Sequence, residues 1–242
     1  MQDAINDSRN NSAHSEDSHL DFSMVIASTV HDMKNSLGML LQAFSSWLEA
    51  MPPDKIWSHE RGIIEYESGR LNGMLVQLLG LYKMGVNQLP LHPEWQDIED
   101  FLQAQVARHQ ELLQSRHIDC AITLESDVFE VFFDQDLMAT VIANILINTV
   151  RYAKSEIILR VSKEGAYTTL SVEDDGQGYP EAMIEGQSNY ILGINQASGS
   201  TGLGLYFSGR IAALHQRNGV PGYIQLKNGG ELGGGVFTIY IP

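Results

Sequence analysis

Residues 141–154 read VIANILINTVRYAK, inside a helical pattern that runs from about Asp136 to Ala153. On such a helix Asn144 and Asn148 stand four residues apart and share one face, with Arg151 three residues further on. Asparagine is unfavourable within an apolar helix, because its amide competes for backbone hydrogen bonds. Two explanations fit. Amide oxygens are hard donors suited to Mg2+, and an arginine fork suits phosphate; alternatively, the two side chains form a structural pair that caps a neighbouring turn. The apolar run from Val141 to Ile147 is well short of the roughly 20 residues that cross a bilayer.

Toward the C-terminus, EIILRVS (156–162) and YTTLSVED (167–174) alternate as strands around the turn KEGA. Beyond them SVEDDGQGYP ends a strand at Asp174, with Gly176 and Gly178 following, where backbone free of Cβ can approach a flat base closely. GSTGLGLYFSGRIAALH then sets Gly199, Gly202 and Gly204 just before a helix expected over Leu203 to His215. Its N-terminal amides would face an anion, although a tight loop-to-helix turn reads the same way. GYIQLKN and GVFTIYIP, joined by the glycine-rich turn GGELGGG, close the pattern as two strands. A further helical stretch runs near Gln96 to Leu113, and IDCAITL (118–124) alternates as a strand in which Cys120 is a packed residue rather than a nucleophile. The mixture predicts one sheet with helices on one face, an α/β sandwich.

Toward the N-terminus the pattern changes. Ile26, Val30, Met33, Leu37, Leu40, Phe44 and Trp47 recur at steps of four and three, the seam of a packed helix that Pro52 and Pro53 stop. A second helix carries Ile64, Leu71, Leu75, Leu78 and Tyr82 on one face. A lone antiparallel hairpin cannot cover both stripes, so two copies forming a four-helix bundle are expected, which makes the protein a homodimer. Gly62, Gly69, Gly73 and Gly80 in the second helix fit either close helix approach or a frayed, kinked helix. In HDMKN (31–35), His31 lies on the outward face with Asn35 four residues on. Asp32 beside it could fix the imidazole tautomer and make the other nitrogen more nucleophilic, or be a solvated helix charge.

The expected organisation is a disordered polar tail at 1–19, the helical hairpin at 20–88, a linker at 89–95 around Pro90 and Pro93, and a second domain at 96–242. The balance of 15 Lys plus Arg against 30 Asp plus Glu gives a formal net charge of −15, which repels phosphate backbones and anionic lipid surfaces. Nucleic acid and membrane insertion are therefore not expected. With no basic-then-apolar signal pattern and a single cysteine, the chain reads as cytoplasmic. The other histidines show no paired metal spacing.

HDMKN, NILINTVRY, EDDGQGYP and GSTGLGL, in that order after a helical hairpin, resemble the histidine, asparagine and two glycine boxes of two-component sensor histidine kinases. The ATP domain of that family belongs to the GHKL superfamily of gyrase, Hsp90 and MutL. The resemblance covers about residues 20 to 242. It implies an α+β multidomain chain: a hairpin forming a dimeric four-helix bundle, followed by an α/β sandwich ATP-binding domain of the GHKL type. It implies phosphoryl transfer from ATP to His31 and then to an aspartate in the receiver domain of a response regulator, with Asp32 as the adjacent acid or base. Asn35 would aid transfer or a phosphatase reaction toward that regulator. Asn148 would ligate Mg2+ with Asn144 nearby, Arg151 would meet the phosphates and Tyr152 would lie by the nucleotide. Asp174 would accept the adenine amino group, Gly176 and Gly178 would shape its pocket, and Gly202, Leu203 and Gly204 would border the phosphates. A lid would run from about Pro180 to Thr201, although the family's phenylalanine-bearing box is not evident in EAMIEGQSNYILGINQAS. The short tail before the first helix leaves no room for a sensor, so regulation is expected in trans through a separate sensory protein. Two other readings stand beside this one: a histidine phosphotransfer or scaffold protein with a degenerate ATP domain, and an ATP-driven clamp or serine kinase of the same superfamily.

Overall fold

In the computed structural model the described residues are 33, 35, 37–40, 42–44, 46, 47, 58–188 and 203–242. His31, Asp32, Gly202, the 1–19 tail, Pro52, Pro53 and most of the expected lid lie outside them. The chain divides into two compact units, one of Met1–Trp57 with Glu67–Leu89 and the other of Ser58–Tyr66 with Pro90–Pro242.

The described residues between 33 and 47 are helical, and α1 (Ser58–Gly85), of which Ser58–Tyr66 groups with the second unit and the rest with the first, runs without interruption across all four of its interior glycines. An added Cβ at Gly69 or Gly73 would meet no atom within 4 Å, so neither glycine is needed for packing among the described residues. Among the described stripe residues Met33, Leu40 and Trp47 are 53%, 67% and 55% exposed and Leu71 and Leu78 of α1 are exposed as well, while Leu37, Phe44, Leu75 and Tyr82 are half-buried.

The second unit follows the order β1 (Glu94–Asp97), α2 (Ile98–Arg108), α3 (Gln110–Ser115), β2 (Asp119–Leu124), β3 (Glu130–Phe133), α4 (Gln135–Tyr152), β4 (Glu156–Glu164), β5 (Tyr167–Asp174) and α5 (Glu181–Glu185). It continues with α6 (Leu203–Leu214), β6 (Gln216–Arg217), β7 (Val220–Pro221), β8 (Tyr223–Asn228) and β9 (Gly235–Ile241). Five strands form one sheet in the order β2-β4-β5-β9-β8, and β1–β3 and β6–β7 make two small antiparallel ribbons. Only β2 and β4 pair in parallel within the large sheet; α4 lies in the crossover that returns the chain in the same direction. Period-two alternation then sorts the side chains. The cross-strand row Leu159, Val172, Phe237 and Leu226 is buried against the helices, while the next row, Arg160, Ser171 and Thr238, is polar and faces away. Met138, Val141, Ile142, Ile145 and Leu146 of α4 and Phe207 and Ile211 of α6 complete the core. The unit is the expected α/β sandwich.

The helix expected from Gln96 starts two residues later. Gln96 and Asp97 complete β1, and Asp97 caps α2 by accepting a hydrogen bond from Asp100 N at 2.9 Å. It also ends at Arg108 and resumes as α3, with His109 between them. Asp134 starts α4 in the same way, its Oδ1 accepting from Leu137 N at 3.0 Å. Cys120 is half-buried in β2, and burial pushes its thiol up to about 11, so it stays protonated.

A buried imidazole joins α4 to α6. His215 Nδ1 lies 2.8 Å from Ile211 O, and Asp134 N donates to His215 Nε2 at 3.0 Å. This requires a neutral ring with its proton on Nδ1, and burial accordingly pushes its pKa down from 6.5, offset in part by the bond to Ile211 O and the charge of Asp134. Because the unfolded imidazole takes up a proton more readily than the folded one, the contribution of His215 is full above 6.5 and shrinks as pH falls below it. His215→Gln should therefore lower the urea midpoint more at pH 7.5 than at about pH 5.5, relative to wild type at each pH; an equal difference at both pH values would contradict a neutral buried ring.

Candidate functional site

The site is built at one end of β5, where three consecutive acidic residues point in different directions. Glu173 lies on the polar face of the sheet and Asp174 on the core face. Asp174 is only 6% exposed, and its Oδ1 accepts from Gly176 N at 2.8 Å and Gly235 N at 3.2 Å. Both bonds fall on Oδ1, which leaves Oδ2 as an acceptor for a donor on a bound molecule.

The space around this carboxylate exists because side chains are missing. A Cβ on Gly176 would collide with Tyr152 O and sit 2.7 Å from Asp174 Oδ1, and a Cβ on Gly234 would collide with Asp174 O. Tyr179 supplies the next wall: a Cβ on Gly235 would lie 2.8 Å from Asp174 Oδ2 and 3.1 Å from the Tyr179 ring, so the ring edge and the carboxylate flank the same point. Burial and the Asp174 charge both push the Tyr179 phenol upward, keeping it neutral. Asn228 holds this loop in register, accepting from Tyr179 N at 2.7 Å and donating to Tyr179 O at 2.8 Å, with Gly178 packed against its amide.

The α4 residues approach from the other side. Gly176 abuts Tyr152 at the end of α4, and Gly204, in the first turn of α6, abuts the Asn144 amide, whose Nδ2 would be 2.6 Å from an added Cβ. Asn148 Nδ2 donates to Asn144 Oδ1 at 3.4 Å, a long bond that does not use the Asn148 carbonyl oxygen. Arg151 lies over the Tyr152 ring, 5.5 Å from its centroid, and both side chains are exposed. Leu203 opens α6 and is half-buried beside Gly204. The structure thus brings together Asn144, Asn148, Arg151, Tyr152, Asp174, Gly176, Gly178, Leu203 and Gly204. His31, Asp32 and Gly202 are outside the described residues, and Asn35 is an exposed helical residue of the other unit. Asn144 and Asn148 are bonded to each other along α4, and the Asn144 amide also lies against Gly204 in the first turn of α6. Asn148 is exposed and stands three residues from Arg151, so its amide oxygen is the hard donor that would hold a divalent cation here.

Five residues of this site carry no expectation from the motifs: Asp175, Tyr179, Asn228, Gly234 and Gly235. Asp175 accepts from Lys154 N at 2.7 Å, Ser155 N at 3.0 Å and the Ser155 hydroxyl at 2.8 Å. Burial pushes its pKa up, but these bonds and one from the Glu156 amide outweigh that and hold it down at about 2. Across the sheet, Glu173 pairs with Arg160 and accepts from Glu231 N at 2.9 Å, pinning the β8–β9 turn that presents Gly234 and Gly235. The signal for that turn was available: GGELGGG holds five glycines in seven residues, more than a hairpin needs.

Comparison with known proteins gives three findings. Residues 133–242 match the family of histidine kinase-, DNA gyrase B- and HSP90-like ATPases. The sensor-like histidine kinase SenX3 of Mycolicibacterium smegmatis is 27% identical over 226 residues, which is 90% of this chain and 56% of that protein. Among solved structures, the Acinetobacter baumannii histidine kinase AdeS aligns with a TM-score of 0.56 at 19% identity, over 87% of this chain and 96% of that one. Full-length ShkA in complex with AMPPNP aligns with a TM-score of 0.62 at 21% identity, over 89% and 45%. The chain spans about half the length of the SenX3 relatives it matches.

Gly234→Ala should weaken binding of an ATP analogue by about tenfold or more, because its Cβ displaces the Asp174 backbone. Gly233→Ala, whose Cβ meets nothing within 4 Å but whose φ is +80°, should cost about 1 kcal/mol of stability and leave affinity nearly unchanged. Calorimetric titration of both variants beside wild type separates a crowded carboxylate from a strained turn.

Proposed function

We propose that this chain, which matches the histidine kinase-, DNA gyrase B- and HSP90-like ATPases over residues 133–242 and is similar to sensor histidine kinases along most of its length, is a two-component histidine kinase. It transfers the γ-phosphoryl group of ATP to His31 and then to an aspartate in the receiver domain of a response regulator. The observation that supports the reading best is convergence: the asparagine helix meets the DDGQG turn at Tyr152 and the second glycine turn at Gly204, so three separate sequence motifs line one site.

In that site Asp174 Oδ2 accepts a hydrogen bond from the adenine amino group, while its Oδ1 is held by two backbone amides. Gly176 and Gly178 leave room for the base, Tyr152 lies along the nucleotide, and Gly202, Leu203 and Gly204 border the phosphates. Asn148 offers its amide oxygen to Mg2+ with Asn144 bracing it. The ion when bound neutralises charge on the phosphates. Arg151 leaves its resting place over Tyr152 to meet the phosphate oxygens. His31 attacks phosphorus in line, a P–N bond forms, the bond to the bridging oxygen of ADP breaks, and Asp32 holds the second imidazole nitrogen and its proton. Asn35, four residues on in the sequence, aids transfer or the phosphatase reaction in which water takes the phosphoryl group from the regulator's aspartate.

The exposed apolar residues of the first unit support a homodimeric four-helix bundle, since a second copy would cover Leu40, Trp47, Leu71 and Leu78. No helix among the described residues is long and apolar enough to cross a membrane, and the reading places the reaction in the cytoplasm. Signal would arrive through a sensory protein acting in trans.

Incubating the chain with labelled ATP and Mg2+ tests the reading. Wild type should acquire an acid-labile, base-stable label that His31→Gln and Asp174→Asn both lose. Label that survives in His31→Gln would move the acceptor elsewhere, and absence of nucleotide binding in wild type would favour the phosphotransfer scaffold.

A further inference from the structure

The carboxylate beside Asp174 grips a different part of the molecule from Asp174 itself. After Tyr152 the chain leaves α4, turns through 153–155 and enters β4 at Glu156. Asp175 receives the Lys154 and Ser155 amides and the Ser155 hydroxyl, so the whole turn is fastened to the end of β5 by one side chain. Ser155 O in turn accepts from Asp119 N at 2.8 Å, which ties the same turn to β2. Immediately beside this grip, Gly176 lies in contact with Tyr152 O. Residues 174–176 therefore do two jobs within three positions: Asp174 faces the base, while Asp175 and Gly176 seat the C-terminal end of α4, which carries Arg151 and Tyr152.

We propose that Asp175 is a positioning residue for the nucleotide: its carboxylate, bound to Lys154 and Ser155, sets the separation between Asp174 at the base end and Arg151 at the phosphate end. The inference rests on the ATP-site reading above. A ligand that touches only one end does not sense that separation, whereas a ligand spanning both ends does. Releasing the grip should thus cost ATP more affinity than adenosine. A side chain whose role is only structural would weaken the two ligands by the same factor.

Equilibrium dialysis of the full chain with labelled adenosine and with labelled ATP plus Mg2+ reads this difference, with circular dichroism and a thermal melt on each variant. Asp175→Ala should weaken ATP by about tenfold and adenosine by less than about threefold. Asp175→Asn, which keeps one carbonyl acceptor for the two amides, should recover part of the ATP affinity. Ser155→Ala, which removes one bond and leaves the carboxylate, should weaken ATP by about two- to threefold and adenosine hardly at all. Should Asp175→Ala fail to fold, the Asn and Ser155→Ala variants carry the comparison. Equal factors for ATP and adenosine, or ATP affinity unchanged in all three variants, would overturn the inference. A wild-type chain that binds neither ligand overturns the ATP-site reading itself, and Asp174→Asn, which should lose both ligands, separates the base contact from the positioning role.

Discussion

A carboxylate buried in a protein interior is costly unless donors surround it, and the second unit is arranged around meeting that demand at Asp174. The donors come from the DDGQG turn and from the first residue of β9, so both are in place only when β9 lies beside β5 in its native register. Placing β9 there fixes β8, and the β8–β9 turn then lies over the end of β5, where Glu173 and Arg160 hold it from the opposite face. Sheet order, turn composition and the acceptor are one problem with one solution. Replacing the backbone donors with side chains would fill the space that a planar ring needs.

The same economy separates the neighbouring acids. Because strand residues alternate, Glu173 and Asp174 address opposite faces of the sheet, and the chain leaves the strand just in time for Asp175 to turn sideways toward α4. Three like charges in a row therefore avoid competing for the same donors: an arginine and a turn amide serve the first, glycine amides the second, and the post-helix turn the third. The depressed pKa of Asp175 marks a side chain whose hydrogen bonds outweigh its burial.

Motif spacing made much of this visible in the sequence. The asparagine pair, Asp174 and the glycines that follow sit where helix period and strand ends place them, and the structure brings them into one site. The strand pairs flanking KEGA and GGELGGG were legible because alternation and turn chemistry agree. Less legible were elements whose signal is tertiary. Glu94–Asp97 and Glu130–Phe133 are four residues each, too short for alternation to outweigh the helical pattern that follows Asp97, and they become strands by pairing with each other. The role of Gly235 was hidden because its donor bond reaches back 61 positions, a distance no local pattern encodes. Asp175 was hidden by its neighbour, since a motif that explains one acid gives no reason to ask about the next.

The position of β9 has a consequence for how the unit is made. It is the latest of the five strands in chain order, yet it sits between β5 and β8, inside the sheet and not at its edge. On the ribosome, the hairpin of β4 and β5 can form early, but the far edge of β5 stays unpaired and Asp174 lacks its Gly235 donor until β9 emerges. The pocket around Asp174 is therefore incomplete until β9 has docked. From that moment any ligand that prefers the finished site adds its binding energy to closure of the sheet.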